Sequence, residues 1–225
     1  MNQKLLKPRV ITEITNQIAY VYLNRCEKQN ALDMAMFIAI DNTIKDLKKN
    51  KDIRVVIVSS KSNNFSTGLD VKSVMKSPLN ALKLLFKLLP WRSNLAQRVS
   101  TGWRTISVPV IMVIEGRCWG GGLQIALGAD FRIVSPNASL SIMESRWGLI
   151  PDMGGTLALR EVLRLDIAKE LAMTAEIITG HKAKEIGLVT HINENPFEKA
   201  QSIAETISKQ SPDSIAATKK LYNKS

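Results

Sequence analysis

Three consecutive glycines at positions 120 to 122 are the feature that most restricts how this chain can fold. They follow the apolar run PVIMVI, and the segment after them, LQIALGAD, has the apolar spacing of a short helix. Glycine allows other groups to approach the backbone closely, and the first N–H groups of a helix have no intrahelical partner. The stretch GRCWGGGLQIALGAD therefore predicts a helix start that can bind an oxygen carrying negative charge. The alternative is a tight turn that only permits close helix packing.

Strand-like and helix-like patterns alternate along the rest of the chain. QIAYVYLNR, DIRVVIVSS, VPVIMVIEG and ADFRIVSP are aliphatic runs typical of buried strands, whereas residues 31–47 and 161–172 have helical periodicity. This alternation predicts the α/β class, and a length of 225 residues suits one main domain. Residues 72–103 are interpreted as a helix that covers the core, or as a flap over an apolar ligand.

Charge and cysteine content exclude several classes of function. The 31 basic and 20 acidic residues give a net charge of +11, which suits an anionic partner without choosing among phosphate, nucleic acid and acidic lipid. Two cysteines, Cys26 and Cys118, are too few for a disulfide framework, and His181 and His191 lack metal-ligand spacing, so no metal site is expected. The N-terminal segment does not resemble a signal peptide, and no apolar run reaches the roughly 20 residues that span a bilayer. We therefore expect a reduced, cytoplasmic protein that is not in a membrane.

Two further strings place polar groups after predicted strands. SNNFSTGLDVKS follows DIRVVIVSS; its small residues expose a backbone N–H, and Asp70 can cap a following helix. MESRWGLIPDMGGT holds Glu144 and Asp152 among apolar residues, which would raise the pKa of a carboxylate towards working pH. Each string alone also fits an ordinary loop with solvated acids. Two backbone donors that converge on one oxygen would form an oxyanion hole.

Five strings, taken together and in this order, resemble the crotonase superfamily, which includes the enoyl-CoA hydratase/isomerase family. LNRCEKQNAL resembles LNRP-x-x-x-NAL, with Cys26 where proline is usual, and FSTGLD resembles F-x-A-G-x-D. GRCWGGGLQIALGAD resembles G-x-A-x-G-G-G-x-E-L-A-x-x-x-D, and MESRWGLIPDMGGT and ITGHKAKEIGLV complete the set. The resemblance extends from about residue 10 to about residue 220.

The resemblance implies a fold, a substrate class and a set of site residues. The fold is a spiral of ββα units over residues 1–195, followed by a C-terminal helical segment, 196–225, that is short relative to the family. The substrate is an acyl-CoA thioester, with coenzyme A as part of the substrate and no separate cofactor, and the chain forms a trimer or hexamer. By motif position, the backbone N–H groups of Thr67 and Gly121 bind the thioester oxygen. The residues that border coenzyme A and the acyl group are Arg25, Ala31, Gly68, Leu69, Asp70, Gly120 and Trp147.

Gln124 departs from the family pattern and bears on the reaction. In the hydratases of this family two glutamates flank a water, at the positions of Gln124 and Glu144. A carboxamide can hold a water but cannot exchange a proton near neutral pH, which disfavours that route to hydration. The resemblance thus favours an enoyl-CoA or dienoyl-CoA isomerase, with Glu144 as base and relay, Asp152 as second acid or orienter, and Gln124 as a polar positioner.

Two other functions stay open. One is an enoyl-CoA hydratase of unusual or weak activity. The other is a non-catalytic binding protein with the same fold that attaches to RNA through its positive charge, although no aromatic-rich RNA motif accompanies the lysines.

Overall fold

Helices surround two β-sheets in the computed structural model, which describes residues 7–74, 78–86 and 93–223. The strands are β1 (Val10–Thr15), β2 (Ile18–Leu23), β3 (Val55–Ser60), β4 (Val110–Ile114), β5 (Arg117–Trp119), β6 (Phe131–Val134), β7 (Ser139–Ser141), β8 (Ile178–Thr179) and β9 (His191–Ile192). The helices are α1 (Met34–Lys49), α2 (Val71–Val74), α3 (Pro78–Leu85), α4 (Leu95–Thr101), α5 (Gly121–Ala126), α6 (Gly155–Val162), α7 (Leu165–Thr174), α8 (Gly180–Glu185), α9 (Pro196–Ser208) and α10 (Pro212–Tyr222). Short 3-10 helices are Cys26–Lys28, Gly102–Thr105 and Glu144–Trp147.

The two sheets are built from a repeated strand–strand–helix unit. The large sheet has the order β1-β2-β3-β4-β6-β9, with β1 antiparallel to β2 and the other pairs parallel, and the small sheet has the order β5-β7-β8. β4 of the large sheet leads to β5 of the small sheet and then to α5; β6 leads in the same way to β7 and the 3-10 helix at Glu144. β3 leads to a single bridge between Ser66 and Cys118 of β5, and then to α2. The α/β class and the predicted spiral of ββα units are therefore confirmed.

The large sheet is buried on both faces, which explains the unbroken apolar runs of its strands. Val56 and Val58 of β3 point into the main core, together with Phe37 of α1. The alternate residues of β3, Val55 and Ile57, pack on the other face with residues of α9. Because both faces are covered, the strands that connect to the glycine turn are held in a rigid layer.

Two helix boundaries differ from the sequence-based prediction. α1 begins at Met34 rather than at residue 31, because the Asp33 side chain accepts a hydrogen bond from the Met36 N–H and caps the helix. The predicted helix over 161–172 is wrong: α6 and α7 are separate, because Leu163 adopts extended backbone (φ −124°, ψ 154°) and packs into the core. The four predicted strands correspond to β2, β3, β4 and β6.

The segment 72–103 is helical where the structure describes it. It contains most of α2, and α3 and α4; Leu89, Pro90 and Trp91 of the proposed cover or flap lie outside the described residues. Leu84 is buried, whereas Leu82 and Phe86 are exposed. Within the described ranges, no helix is both long and apolar enough to cross a membrane.

A buried ion pair fastens α10 to the rest of the fold. The Lys219 Nζ donates to Asp130 Oδ2 at 2.7 Å and to the Val108 carbonyl at 2.9 Å, and the Lys219 side chain is 7% exposed. Asp130 Oδ2 also accepts from the Val110 N–H at the start of β4. Burial lowers the pKa of Lys219, and the adjacent Asp130 carboxylate opposes that shift. The pair therefore connects the last helix to the central strands.

Replacing Lys219 by methionine tests this attachment. Lys219→Met leaves the Asp130 carboxylate without its cation, and we expect a loss of about 3 kcal/mol in the free energy of unfolding measured with urea. Lys220→Met, at the next, exposed position of α10, serves as the control and should change stability by less than about 0.5 kcal/mol. Equal effects of the two substitutions would contradict the proposed role of the ion pair.

Candidate active site

Most of the predicted catalytic and thioester-binding residues line one cavity. Its volume is about 550 Å³, within the range of ligand pockets in proteins. Gly121, Gln124, Glu144 and Asp152 lie in its wall, and the other lining residues are mainly apolar: Phe37, Leu69, Val71, Val74, Leu84, Ala96, Trp147, Gly148, Leu149, Ile150 and Met153. The sequence did not reveal Phe37 and Ala96 as pocket residues, because they lie on helices whose apolar spacing is also that of ordinary core helices.

Crowding around the start of α5 is strongest at Gly122, and the backbone angle favours glycine at position 120. A Cβ added at Gly122 would lie 2.7 Å from the Ser66 Cβ, and one at Gly121 would lie 3.1 Å from atoms of Leu32 and Met153. Gly120 has φ +50° and lies beside the Glu144 carboxylate, with 3.4 Å between an added Cβ and Oε1. The glycines thus serve close packing as well as the turn.

The FSTGLD loop meets the glycine turn at Gly68. Gly68 has φ +81°, and a Cβ there would lie 2.7 Å from the Trp119 carbonyl oxygen and 3.2 Å from the Gly121 nitrogen. The FSTGLD loop and the glycine turn are therefore in close contact at Gly68.

The donor predicted in the FSTGLD loop is already engaged. The Thr67 N–H donates to the Gln29 carbonyl at 3.2 Å, because the backbone of residues 25–31 packs along this loop. The Leu69 and Gly121 N–H groups have no acceptor among the described residues, and both residues line the cavity. The geometry thus makes Leu69 a better candidate donor than Thr67.

Arg25, Ala31 and Asp70 support this loop from outside the cavity. One Arg25 guanidinium nitrogen donates to the Ala31 carbonyl at 2.7 Å and to Asp70 Oδ2 at 2.8 Å. Burial raises the pKa of Asp70, but hydrogen bonds from Arg25 and the Ser73 N–H outweigh it and hold the pKa below its usual value. Asp70 also caps α2 through that Ser73 N–H, as predicted. The Arg25 head group is therefore committed to holding the loop in place.

Glu144 is buried in the cavity wall with one oxygen unpaired. The glutamate is 8% exposed, and its Oε1 accepts a hydrogen bond from Gln124 Nε2 at 2.6 Å, whereas Oε2 has no partner in the described structure. Burial raises the pKa of Glu144, the hydrogen bond from Gln124 opposes this, and the negative charge of Asp152 adds to the rise. The prediction that apolar neighbours raise the pKa of a carboxylate in this string is therefore confirmed for Glu144.

Gln124 is held by three hydrogen bonds that determine the orientation of its amide. Its Oε1 accepts from the Met153 N–H at 3.0 Å and the Gly155 N–H at 3.1 Å, so the opposite side of the amide, Nε2, faces Glu144. A carbonyl oxygen has two lone pairs, and both are used here. The amide therefore links α5 and the glutamate to the start of α6.

Asp152 and Trp147 lie at the exposed mouth of the cavity. Asp152 is exposed, so the predicted desolvation of a carboxylate by apolar neighbours does not extend to this residue. Its neighbours Trp147 and Ile150 are themselves 69% and 71% exposed, and cannot exclude water from it. The Asp152 backbone is held by the Gln97 amide, which donates to its carbonyl at 3.3 Å.

A second cavity of about 470 Å³ lies beneath α10 and contains none of the predicted site residues. Its charged groups are largely paired with each other, Lys219 with Asp130 and Arg104 with Glu161. The described ranges contain no cluster of three or more His, Cys, Asp or Glu side chains that could hold a metal ion. The first cavity is therefore the candidate active site.

Comparison with known proteins decides the family. The sequence profile described as enoyl-CoA hydratase/isomerase matches residues 13–225. The chain belongs to the enoyl-CoA hydratase/isomerase family. This family of the crotonase superfamily acts on acyl-CoA thioesters, as the resemblance of the five strings predicted.

Relatives within the family carry out different reactions. The chain is 33% identical over 218 residues to YngF of Bacillus subtilis (strain 168), covering 96% of this chain and 81% of the relative. It is 32% identical over 213 residues to the (E)-benzylidenesuccinyl-CoA hydratase of Thauera aromatica, covering 93% and 80%. It is 29% identical over 212 residues to the peroxisomal Delta(3,5)-Delta(2,4)-dienoyl-CoA isomerase of Arabidopsis thaliana, covering 91% and 76%. A solved enoyl-CoA hydratase structure from Mycobacterium tuberculosis H37Rv matches with a TM-score of 0.85 at 26% identity, covering 96% and 82%.

The contact at Gly68 can be tested with a matched pair of glycine substitutions. Gly68→Ala would place a Cβ against the Trp119 carbonyl and displace the loop from the glycine turn, so we expect turnover of enoyl-CoA to fall at least about 100-fold. Gly187→Ala has a similar φ of +86° but meets only an ordinary 3.6 Å contact, and it should cost about 1 kcal/mol of stability without this loss of turnover. Unchanged turnover in a folded Gly68→Ala protein would contradict the account of this contact.

Proposed function

We propose that the chain is an enoyl-CoA isomerase, in which Glu144 moves a proton between two carbons of the acyl chain. The observation that carries this proposal is how the buried side chains of Gln124 and Glu144 are hydrogen-bonded. Gln124 Nε2 donates to Glu144 Oε1, and Glu144 Oε2 has no partner in the described structure. The site therefore offers one carboxylate oxygen that can accept a proton inside the cavity.

The proposed step begins with proton removal from the carbon next to the thioester. Glu144 Oε2 takes a proton from C2 of a 3-enoyl-CoA, the electron pair moves into the conjugated system, and negative charge develops on the thioester oxygen. The same carboxyl group then returns the proton to C4, which gives the 2-enoyl-CoA and regenerates the carboxylate. No water or second reactant is consumed.

The backbone N–H groups of Leu69 and Gly121 are the proposed donors to the thioester oxygen. Both lack acceptors in the described structure, and the Gly68 contact brings their loops together. Fixed N–H donors stabilise an oxyanion strongly, and the loss of one typically costs about 2.7 to 4 kcal/mol of transition-state stabilisation. Thr67 is not proposed for this role, because its N–H is bonded to Gln29.

Gln124 is proposed to position Glu144 without itself taking or giving a proton during the reaction. Its carbonyl is saturated by two backbone N–H groups, and a carboxamide does not act as an acid or base near neutral pH. Asp152 is the candidate second acid or orienter at the mouth of the cavity, and its negative charge acts on Glu144.

Hydration is the second candidate, supported by the hydratases among the relatives. The Gln124 amide keeps one N–H that can orient a water, and Glu144 alone would then serve as base. Such a hydratase lacks the second proton-exchanging group, and general acid–base help of this kind is worth about 10²- to 10⁴-fold. Isomerisation therefore suits the residues better.

Parallel assays test the proposal. The protein is incubated with 3-hexenoyl-CoA and with crotonyl-CoA, and we expect isomerisation of the first to exceed hydration of the second. Glu144→Gln should lower isomerisation by about 10²- to 10⁴-fold, because the base is lost. Fast hydration of crotonyl-CoA that survives Glu144→Gln would overturn the proposed mechanism.

The pH dependence of turnover tests the role of Gln124. Glu144 must be ionised to act as base, and burial raises its pKa, so kcat/KM should fall with acidification at a higher pH than for an ordinary glutamate. Gln124→Met removes the hydrogen bond that opposes this rise, so the acidic limb of the profile should move to still higher pH.

The matched control for this experiment is Gln201→Met, on α9 and outside the cavity, which should leave the acidic limb in place. A lower kcat in Gln124→Met with an unmoved acidic limb would mean that Gln124 is merely structural.

A further inference from the structure

We infer that the cavity selects acyl groups without a second carboxylate, and that Asp152 at its mouth is a specificity-determining residue. This inference rests on the proposed function, because it takes an acyl-CoA as the ligand. It adds a property of the acyl group that membership of the family does not give, since the relatives act on acyl groups of different kinds.

The ionisable side chains described in the cavity wall are all carboxylic acids. Among its described lining residues, the ionisable side chains are Glu144 and Asp152, and no lysine, arginine or histidine is present. Apart from Gln124, the remaining walls are apolar side chains and glycines. A second carboxylate at the far end of a bound acyl group would thus meet either apolar surface, where an unpaired charge is costly, or another carboxylate, which repels it.

The hydrogen-bond donors near the cavity are mostly engaged. One N–H of Gln124 Nε2 donates to Glu144, and the N–H groups of Met153 and Gly155 donate to Gln124 Oε1. The second N–H of Nε2 is neutral and lies beside the Glu144 carboxylate, which repels a second carboxylate. The free N–H groups of Leu69 and Gly121 are assigned above to the thioester oxygen. The indole N–H of Trp147 has no partner in the described structure, but it is neutral and does not offset two negative charges.

Asp152 cannot easily leave the mouth of the cavity, because the backbone around it is held on both sides. Its own N–H donates to the Ile150 carbonyl at 2.8 Å, and its carbonyl accepts from Gln97. The following residue, Met153, is fixed by its bond to Gln124. The Asp152 charge is therefore kept close enough to influence Glu144, whose pKa it raises.

The inference separates this chain from part of its family. One of the relatives above is named for a benzylidenesuccinyl group, and a succinyl group carries a second carboxylate. We expect this chain to bind such acyl groups poorly, and to accept hydrocarbon acyl groups of the same length.

Binding of two saturated thioesters of equal chain length tests the inference without requiring turnover. Hexanoyl-CoA and adipoyl-CoA differ in that the second has a carboxylate where the first has a methyl group. Calorimetry at low salt should give a Kd for adipoyl-CoA at least about 30-fold higher than that for hexanoyl-CoA. The ratio should shrink as salt is added, because Asp152 is exposed and its charge is screened.

Asp152→Asn identifies the residue responsible. It should reduce the ratio of the two Kd values about fivefold, mainly by improving the binding of adipoyl-CoA. Glu205→Gln, at an exposed position on α9 away from the cavity, removes the same amount of charge and should leave the ratio unchanged.

Each result bears on a separate claim. Equal Kd values for the two thioesters would overturn the inferred selection while leaving the proposed function intact. A ratio that is the same in Asp152→Asn and in the unmodified protein would overturn the role of Asp152. Failure of both thioesters to bind would overturn the proposed function, and the inference with it.

Discussion

The hydrogen bond between Gln124 and Glu144 is the interaction on which the rest of the site depends. It joins α5, the 3-10 helix after β7 and the start of α6, because the other side of the same amide accepts from Met153 and Gly155. A buried amide satisfied on both sides has a single orientation, and so has the carboxylate bound to it. The chain thereby has one carboxylate, Glu144, and one carboxamide, Gln124, at the two positions where the resemblance implies a pair of glutamates in hydratases of the family.

The second constraint is the close approach of two backbone segments. Gly68 and Gly122 leave no room for side chains between the FSTGLD loop and the start of α5. The ion pairs of Arg25 hold that loop from behind, and the large sheet, buried on both faces, holds the strands that lead into both segments. Rigid support of this kind keeps the backbone N–H groups in place before a ligand arrives, which is what the proposed oxyanion stabilisation requires.

The sequence predicted much of the fold and part of the site. Strands β2, β3, β4 and β6 follow from their aliphatic runs, and the burial of Glu144 follows from its apolar neighbours. Local sequence patterns could not predict hydrogen bonds between distant segments. Thr67 is bonded to Gln29, 38 residues away, and the partners of Gln124 lie 20 to 31 positions later in the chain. The exposure of Asp152 and the break at Leu163 likewise depend on tertiary packing, which residue type alone does not show.

The central claim is that one carboxylate and two backbone donors surround the thioester, and a crystal structure with bound hexanoyl-CoA tests it most directly. The account predicts that the thioester oxygen lies about 2.7–3.1 Å from the nitrogens of Leu69 and Gly121, with Glu144 Oε2 beside C2 and C4 and Gln124 Nε2 still bonded to Glu144 Oε1. A thioester oxygen bound to the Thr67 N–H, or a Gln124 amide turned away from Glu144 towards the acyl group, would contradict it.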